Sequence, residues 1–162
     1  MNPVLFEKAV SQVRPDATWP GLIKNAAQEV FRMMVNVEVD SPAQMPEQPS
    51  GALCALVGMA GALCAVFRIR CTLETAADIA KQMTGSPSGA VNSYDALAEL
   101  CNMVAGNFKA KITGLADRCF LSVPTVFKGD HYELYRVGNA YHIEICLAYK
   151  NEPVWFSLEI SN

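Results

Sequence analysis

The stretch Gly51–Phe67, GALCALVGMAGALCAVF, limits the fold more than any other part of the chain, because it carries no charged residue from end to end. Apolar sequence of that length must leave water. A membrane helix needs about 20 apolar residues, whereas this stretch is shorter and is interrupted by Gly58 and Gly61. Two buried strands, ALCALVG and ALCAVFRIRC, joined by a tight turn at MAG, account for the pattern without a membrane. The expectation is a hairpin in a core.

The rest of the chain can supply that core. Hydrophobic residues make up 51% of its 162 residues and charged residues 18%. That balance predicts one folded domain over 1–162 and excludes a disordered chain. A net charge of −3, with no run of Lys and Arg, argues against a nucleic-acid partner. The six cysteines form no Cys-x-x-Cys pair. Buried free thiols in a reducing cytoplasm are expected ahead of a disulfide framework. The N-terminal MNPVLFEKAVSQVRPD lacks the basic start and apolar run of a signal peptide. A cytoplasmic location, with no membrane contact, follows as an expectation.

Residues 1–20 read as a lead-in. PGLIKNAAQEVFRMMV is helical, with Ile23, Ala27, Phe31 and Met34 on one face. NVEVD, 36–40, alternates as a strand, and the three prolines of 41–50 predict an exposed loop. After the hairpin, TLETAADIAKQMTG is a helix with Thr72 as cap, Glu74 in the first turn and Gly85 at the end. SPSGAVN links it to a third helix. From Arg118 the chain turns to strands: RCFLSVPTVFKG, in which Pro124 implies an edge, a bulge or a strand end; HYELYRV and AYHIEICLAY around the turn Gly-Asn; and PVWFSLEI after KNEP. Strands clustered in hairpins, with helices grouped apart, predict an α+β two-layer fold with a largely antiparallel sheet.

The third helix, SYDALAELCNMVAGNFKAK from Ser93 to Lys111, carries the candidate site. At about 100° per residue, Leu97, Cys101, Val104 and Phe108 share a narrow arc with Leu100 at its edge. Asp95, Glu99, Asn102 and Gly106 form a row on the opposite side, at spacings of four, three and four. Asn92 can cap the start, with Asp95 suited to the helix dipole. A polar outward face needs no function to explain it. Yet Asn is a mediocre helix former, and Gly106 costs about 1 kcal/mol in a helix interior. A weaker echo lies upstream: Asn25, Glu29 and Arg32 repeat the spacing of Asp95, Glu99 and Asn102, with matching apolar positions. The echo predicts two copies of one helix-plus-hairpin unit related by a pseudo-twofold: a degenerate copy over 21–71, a linking helix over 72–92, and a second copy over 93–162.

These residues resemble the motif of the CheX/CheC/FliY chemotaxis phosphatases: Asp or Ser, three residues, Glu, two residues, Asn, then roughly twenty-two residues and Pro. Asp95, Glu99, Asn102 and Pro124 stand in that pattern, with 21 residues between Asn102 and Pro124, one short of the family spacing. NMVAGN resembles the family's Asn-x-x-x-Gly-Asn, and SVPTVFKG its Pro-containing strand. A single intact motif is similar to CheX, and Arg32 in the Asn slot makes the first copy inactive. The resemblance implies hydrolysis of the aspartyl-phosphate on a CheY-like response-regulator receiver. Asn102 would orient the water and Glu99 pair with a receiver lysine. Asp95 and Gly106 would be flanking contacts and Pro124 a structural support. Mg²⁺ would sit in the receiver, no metal or cofactor would be bound by this chain, and a homodimer is implied.

Two other readings stand beside it. One is an adaptor that binds a receiver or a flagellar-switch component without hydrolysis, although a mere binder has no need of the amide. The other is a metal or thiol enzyme. His131 and His142 lie in strand patterns without a partner at ligand spacing, and Cys101 falls on the buried arc, where it acts as a small hydrophobe. Trp155 and Phe156 alternate along the last strand as core or dimer surface.

Overall fold

The computed structural model describes residues 12–85, 92–129 and 140–161. Helix α1 spans Trp19–Val30 and runs on through one wider π turn, Phe31–Val35, to Asn36 in the left-handed conformation, φ 56°. Strands β1 (Ala52–Gly61) and β2 (Ala65–Thr72) pair antiparallel, so the uncharged stretch is a hairpin as expected. Its turn falls at 62–64, after Met59, Ala60 and Gly61 have all joined β1, a correction to the turn expected at those three residues. The pairing of Gly61 with Cys119 on the other side of β1 holds them in the sheet.

Helix α2 (Leu73–Thr84) begins where Thr72 accepts from the Thr75 N–H, and it ends at Gly85, φ +63°. Helix α3 (Ser93–Ala110) is capped by the Asn92 side chain accepting from the Tyr94 N–H. Short strands β3 (Cys119–Leu121) and β4 (Thr125–Lys128) both pair with β1. Strands β5 (Ala140–Tyr149) and β6 (Glu152–Ser161) close the order β3/β4–β1–β2–β6–β5, antiparallel throughout. A two-residue turn joins β5 to β6, with Lys150 and Asn151 both at positive φ, the backbone that suits a tight hairpin. Together these make the α+β fold read from the sequence, with three helices on a six-stranded sheet among the described residues. The partner strand expected at HYELYRV, with His131, lies outside them, as does most of the linker before α3.

One face of the sheet makes the core. Leu53, Ala55, Val57 and Met59 on β1, Phe67 and Ile69 on β2, and Phe156 and Leu158 on β6 all turn to the helices and are buried. Trp155 faces the other way and is buried; on that outer face Gln48 and Pro49 of the loop 41–50 bond to Glu144 and Arg70. That loop is mostly exposed, as expected, yet it covers part of the outer face. Arg68 and Glu159 form an ion pair on this face, with His142 near Glu159. His142 is thus a polar strand residue. All six cysteines are free. Burial pushes the Cys71 thiol up to about 12 and the Cys101 thiol up as well, which suits neither for nucleophilic work.

NVEVD is not a strand. Only Asp40 makes a ladder contact, with Ala148. Val39 is buried and Val37 is partly so, while Glu38 faces out and pairs with Arg32. An extended segment lying against a helix satisfies the same alternation as a sheet edge. Gln28 enforces this course by donating to the Val39 carbonyl at 3.0 Å.

Gly61 is required where it stands. At φ +111° a Cβ would lie 2.3 Å from the Arg118 carbonyl oxygen. Gly61→Ala should cost more than about 2 kcal/mol in denaturant unfolding. Gly21→Ala, in the helix α1 with nothing within 4 Å of the new methyl, should be neutral or stabilise by up to about 1 kcal/mol.

Candidate active site

Helix α3 sits on the sheet through its apolar arc. Leu97, Leu100, Cys101, Val104 and Phe108 are all fully buried, and the Cys101 thiol lies 3.5 Å from the Ala55 carbonyl of β1. Phe108 stacks on Phe67 of β2 and meets Trp19 of α1 edge-on at 5.6 Å. With the inner face so fixed, the row Asp95, Glu99, Asn102 and Gly106 points outward. Asp95 and Glu99 are exposed, and Asn102 and Gly106 are half-buried. Among the described residues no hydrogen bond or ion pair occupies Glu99 or Asn102. The structure therefore brings three of the side chains singled out in the sequence onto one open helix face, with Gly106 one turn further on.

The face is not symmetrical. Around α3, at about 100° per residue, Asn102 leans toward the edge of the sheet and Glu99 toward α1. On the sheet side, a methyl at Gly106 would lie 3.8 Å from the Leu121 side chain. Lys109 ties the same flank down by donating to the Ala116 and Cys119 carbonyls at 2.8 and 2.7 Å.

Pro124 marks a bulge. The ladder pairs Leu121 with Met59 and Thr125 with Leu56. Between these pairs Ser122, Val123 and Pro124 stand opposite only Val57 and Gly58, one residue too many for the ladder. Such a break suits a proline on an edge strand. The next pairs down β4 reach Val126 opposite Ala55, the residue beneath Cys101. The bulge therefore lies beside the part of α3 between Asn102 and Gly106.

The upstream echo has a different fate. The Glu29 carboxylate accepts from Asn107 at 2.8 Å and from Lys111 at 2.7 Å, both at the C-terminal end of α3. Arg32 is forked onto Glu38 at 2.7 and 3.2 Å. The Lys111 and Asn107 hydrogen bonds hold the Glu29 carboxyl below its ordinary value. Both side chains are engaged within the fold, so the helix α1 offers no free Glu and amide pair. Sequence reading missed this clamp, together with the part Ser122 and Gly58 play at the bulge. The i, i+4 pair Asn107 and Lys111 facing α1 was the available signal for the clamp.

Among the described residues no group of three or more His, Cys, Asp or Glu stands close enough to hold a metal ion. No helix there is long and apolar enough to cross a membrane.

Comparison with known proteins identifies the family. The family model "Chemotaxis phosphatase CheX" matches residues 53–147, more than half of the chain. The chain belongs to the CheX chemotaxis phosphatase family. Solved structures agree on the fold. The chemotaxis protein CheX of Vibrio vulnificus superposes with TM-score 0.74 at 20% identity, covering 92% of this chain and all of that one. CheX of Desulfovibrio desulfuricans gives 0.71 at 18%, covering 88% and 99%. The CheX–CheY–BeF3–Mg²⁺ complex of Borrelia burgdorferi gives 0.66 at 17%, covering 92% and 100%. At such identities the likeness speaks for the fold alone. No curated protein sequence matches the chain.

The clamp makes a prediction with a definite sign. Because the folded-state value of Glu29 is depressed, its contribution is present above its ordinary pKa of 4.5 and is lost as the pH falls below it. Glu29→Gln should lower stability at neutral pH by less than about 1 kcal/mol, since the pair is partly exposed. The gap from wild type should close as unfolding is measured at successively lower pH through 4.5.

Proposed function

We propose that the protein hydrolyses the aspartyl-phosphate of a CheY-like response-regulator receiver domain, with Asn102 placing the attacking water. The observation that carries this reading is the pair of Glu99 and Asn102 on the outer side of α3, with no hydrogen bond or ion pair to either side chain among the described residues, in a chain of the CheX chemotaxis phosphatase family. A core-facing or structurally occupied pair would not serve.

The chemistry needs little covalent help from the protein. Water attacks phosphorus in line, the bond to the aspartyl oxygen breaks, and the products are a free carboxylate and inorganic phosphate. Positioning and charge supply most of the acceleration in such transfers. An amide can accept from the water and donate elsewhere without adding a negative charge that would repel the phosphoryl oxygens. Its helix is anchored by seven buried residues, so the amide enters the receiver's pocket from a rigid base. Glu99, nearly a turn away, meets the receiver's lysine and fixes the approach. Mg²⁺ comes with the receiver and neutralises the phosphoryl group there. CheX of Borrelia burgdorferi has been captured with CheY, BeF3 and Mg²⁺ together, which supports a receiver as the partner. The degenerate upstream unit serves stability through the Glu29 clamp.

Asn102→Ala should abolish accelerated phosphate release, a loss of at least about 100-fold in kcat, and leave receiver binding within about threefold. Glu99→Ala should weaken both binding and turnover. Arg32→Ala should change neither. Binding that survives while wild type and Asn102→Ala release phosphate at one rate would make the helix face a docking surface without catalysis.

A further inference from the structure

Val123 is 85% exposed, the most exposed large hydrophobic residue among those described. It stands at the centre of the bulge, and its neighbours hold it there. The Ser122 hydroxyl accepts from the Gly58 N–H at 2.8 Å and donates to the Val123 carbonyl at 3.0 Å. The Ser122 N–H donates to the Gly58 carbonyl at 2.8 Å. Pro124 restricts the backbone on the other side. The lock depends on glycine opposite, since a Cβ at Gly58 would press to 3.3 Å from the Ser122 oxygen. An apolar knob is thus presented rigidly to solvent beside the Asn102–Gly106 stretch of α3.

We infer that Val123 is a specificity-determining contact of the phosphatase, seated in an apolar recess of the receiver domain next to the acidic pocket that Asn102 enters. This inference rests on the phosphatase reading. The bulge follows Leu121, which lies against Gly106 of the same helix row, so one partner docked on that flank of α3 reaches both Val123 and the Glu99–Asn102 pair. Charge selects the occupant. Asp95 and Glu99 share the face, so a twofold pairing of this surface with a second copy would set acidic groups against acidic groups. A receiver presenting a lysine meets no such conflict. The two contacts divide the work: Glu99 steers and orients a cationic partner, and Val123 discriminates among receivers by shape. A pre-ordered side chain loses little entropy on contact, which strengthens its part in binding.

The test is steady-state phosphate release from a phosphodonor-charged receiver that the wild-type protein dephosphorylates, with Val123→Asp, Val123→Ile and Ser122→Ala. Val123→Asp should raise KM about tenfold or more, equivalent to about 1.4 kcal/mol, with kcat changed less than about twofold. Val123→Ile should restore near-wild-type KM, and Ser122→Ala should raise it a few-fold by loosening the bulge. An unchanged KM for Val123→Asp overturns the inference while leaving the phosphatase reading intact. If the wild type accelerates release from no receiver, the phosphatase reading fails, and affinity for beryllofluoride-loaded receiver decides the contact. Equal affinity of wild type and Val123→Asp, or no binding by either, sinks it. Sedimentation of the same variants covers the remaining occupant: loss of a wild-type dimer in Val123→Asp would assign the knob to a second copy and overturn the proposal.

Discussion

The seating of α3 on strand β1 fixes everything on the helix's outer side. Leu97, Leu100, Cys101, Val104 and Phe108 are buried to the last atom or nearly so. Each large apolar side chain so placed contributes on the order of 1.5–3 kcal/mol. Rotating the helix by even a third of a turn would expose several of them, so the rotation of the helix is set by the core. The polar row follows as the complement of that choice. The close approach of Cys101 to the Ala55 carbonyl needs a small side chain on both sides, which is why a cysteine in this position behaves as packing and not as chemistry.

The edge of the sheet supplies the second constraint. An unbroken β3–β4 strand would run flat beside α3 and present a regular row of free backbone groups, a hazard at any sheet edge. The bulge at Ser122–Pro124 interrupts that row, and proline removes one donor from it. The same extra residue shifts which side chains face the helix: Leu121 packs near Gly106 on one side of the break and Val126 joins the core on the other. The helix and the interrupted edge together form the surface on which the proposed chemistry depends.

Much of this was legible before the structure. The hairpin, the caps at Thr72 and Asn92, and the inward arc of α3 follow from local periodicity and side-chain chemistry, which act over a few residues and are therefore visible in sequence. Pro124 pointed to a bulge, an edge or a strand end, though not to which. The segment 36–40 misled because alternating burial can be met by docking on a helix as well as by pairing. The turn of the hairpin slipped to 62–64 because its position is decided by cross-strand pairing with Cys119, some 58 residues away along the chain. The Glu29–Asn107–Lys111 clamp is likewise a long-range contact. It engages Glu29 in holding the fold, whereas Glu99 is exposed.

The proposed hydrolysis of a receiver's aspartyl-phosphate depends on the exposed Glu99 and the half-buried Asn102 of α3. The most direct measurement is the lifetime of phosphorylated receiver domains from the same genome, charged with a small phosphodonor and Mg²⁺, with and without this protein at catalytic amounts. At least one receiver should lose its phosphoryl group many times faster in its presence, with inorganic phosphate as the product. Unchanged lifetimes across all receivers, including any that the protein binds, would contradict it.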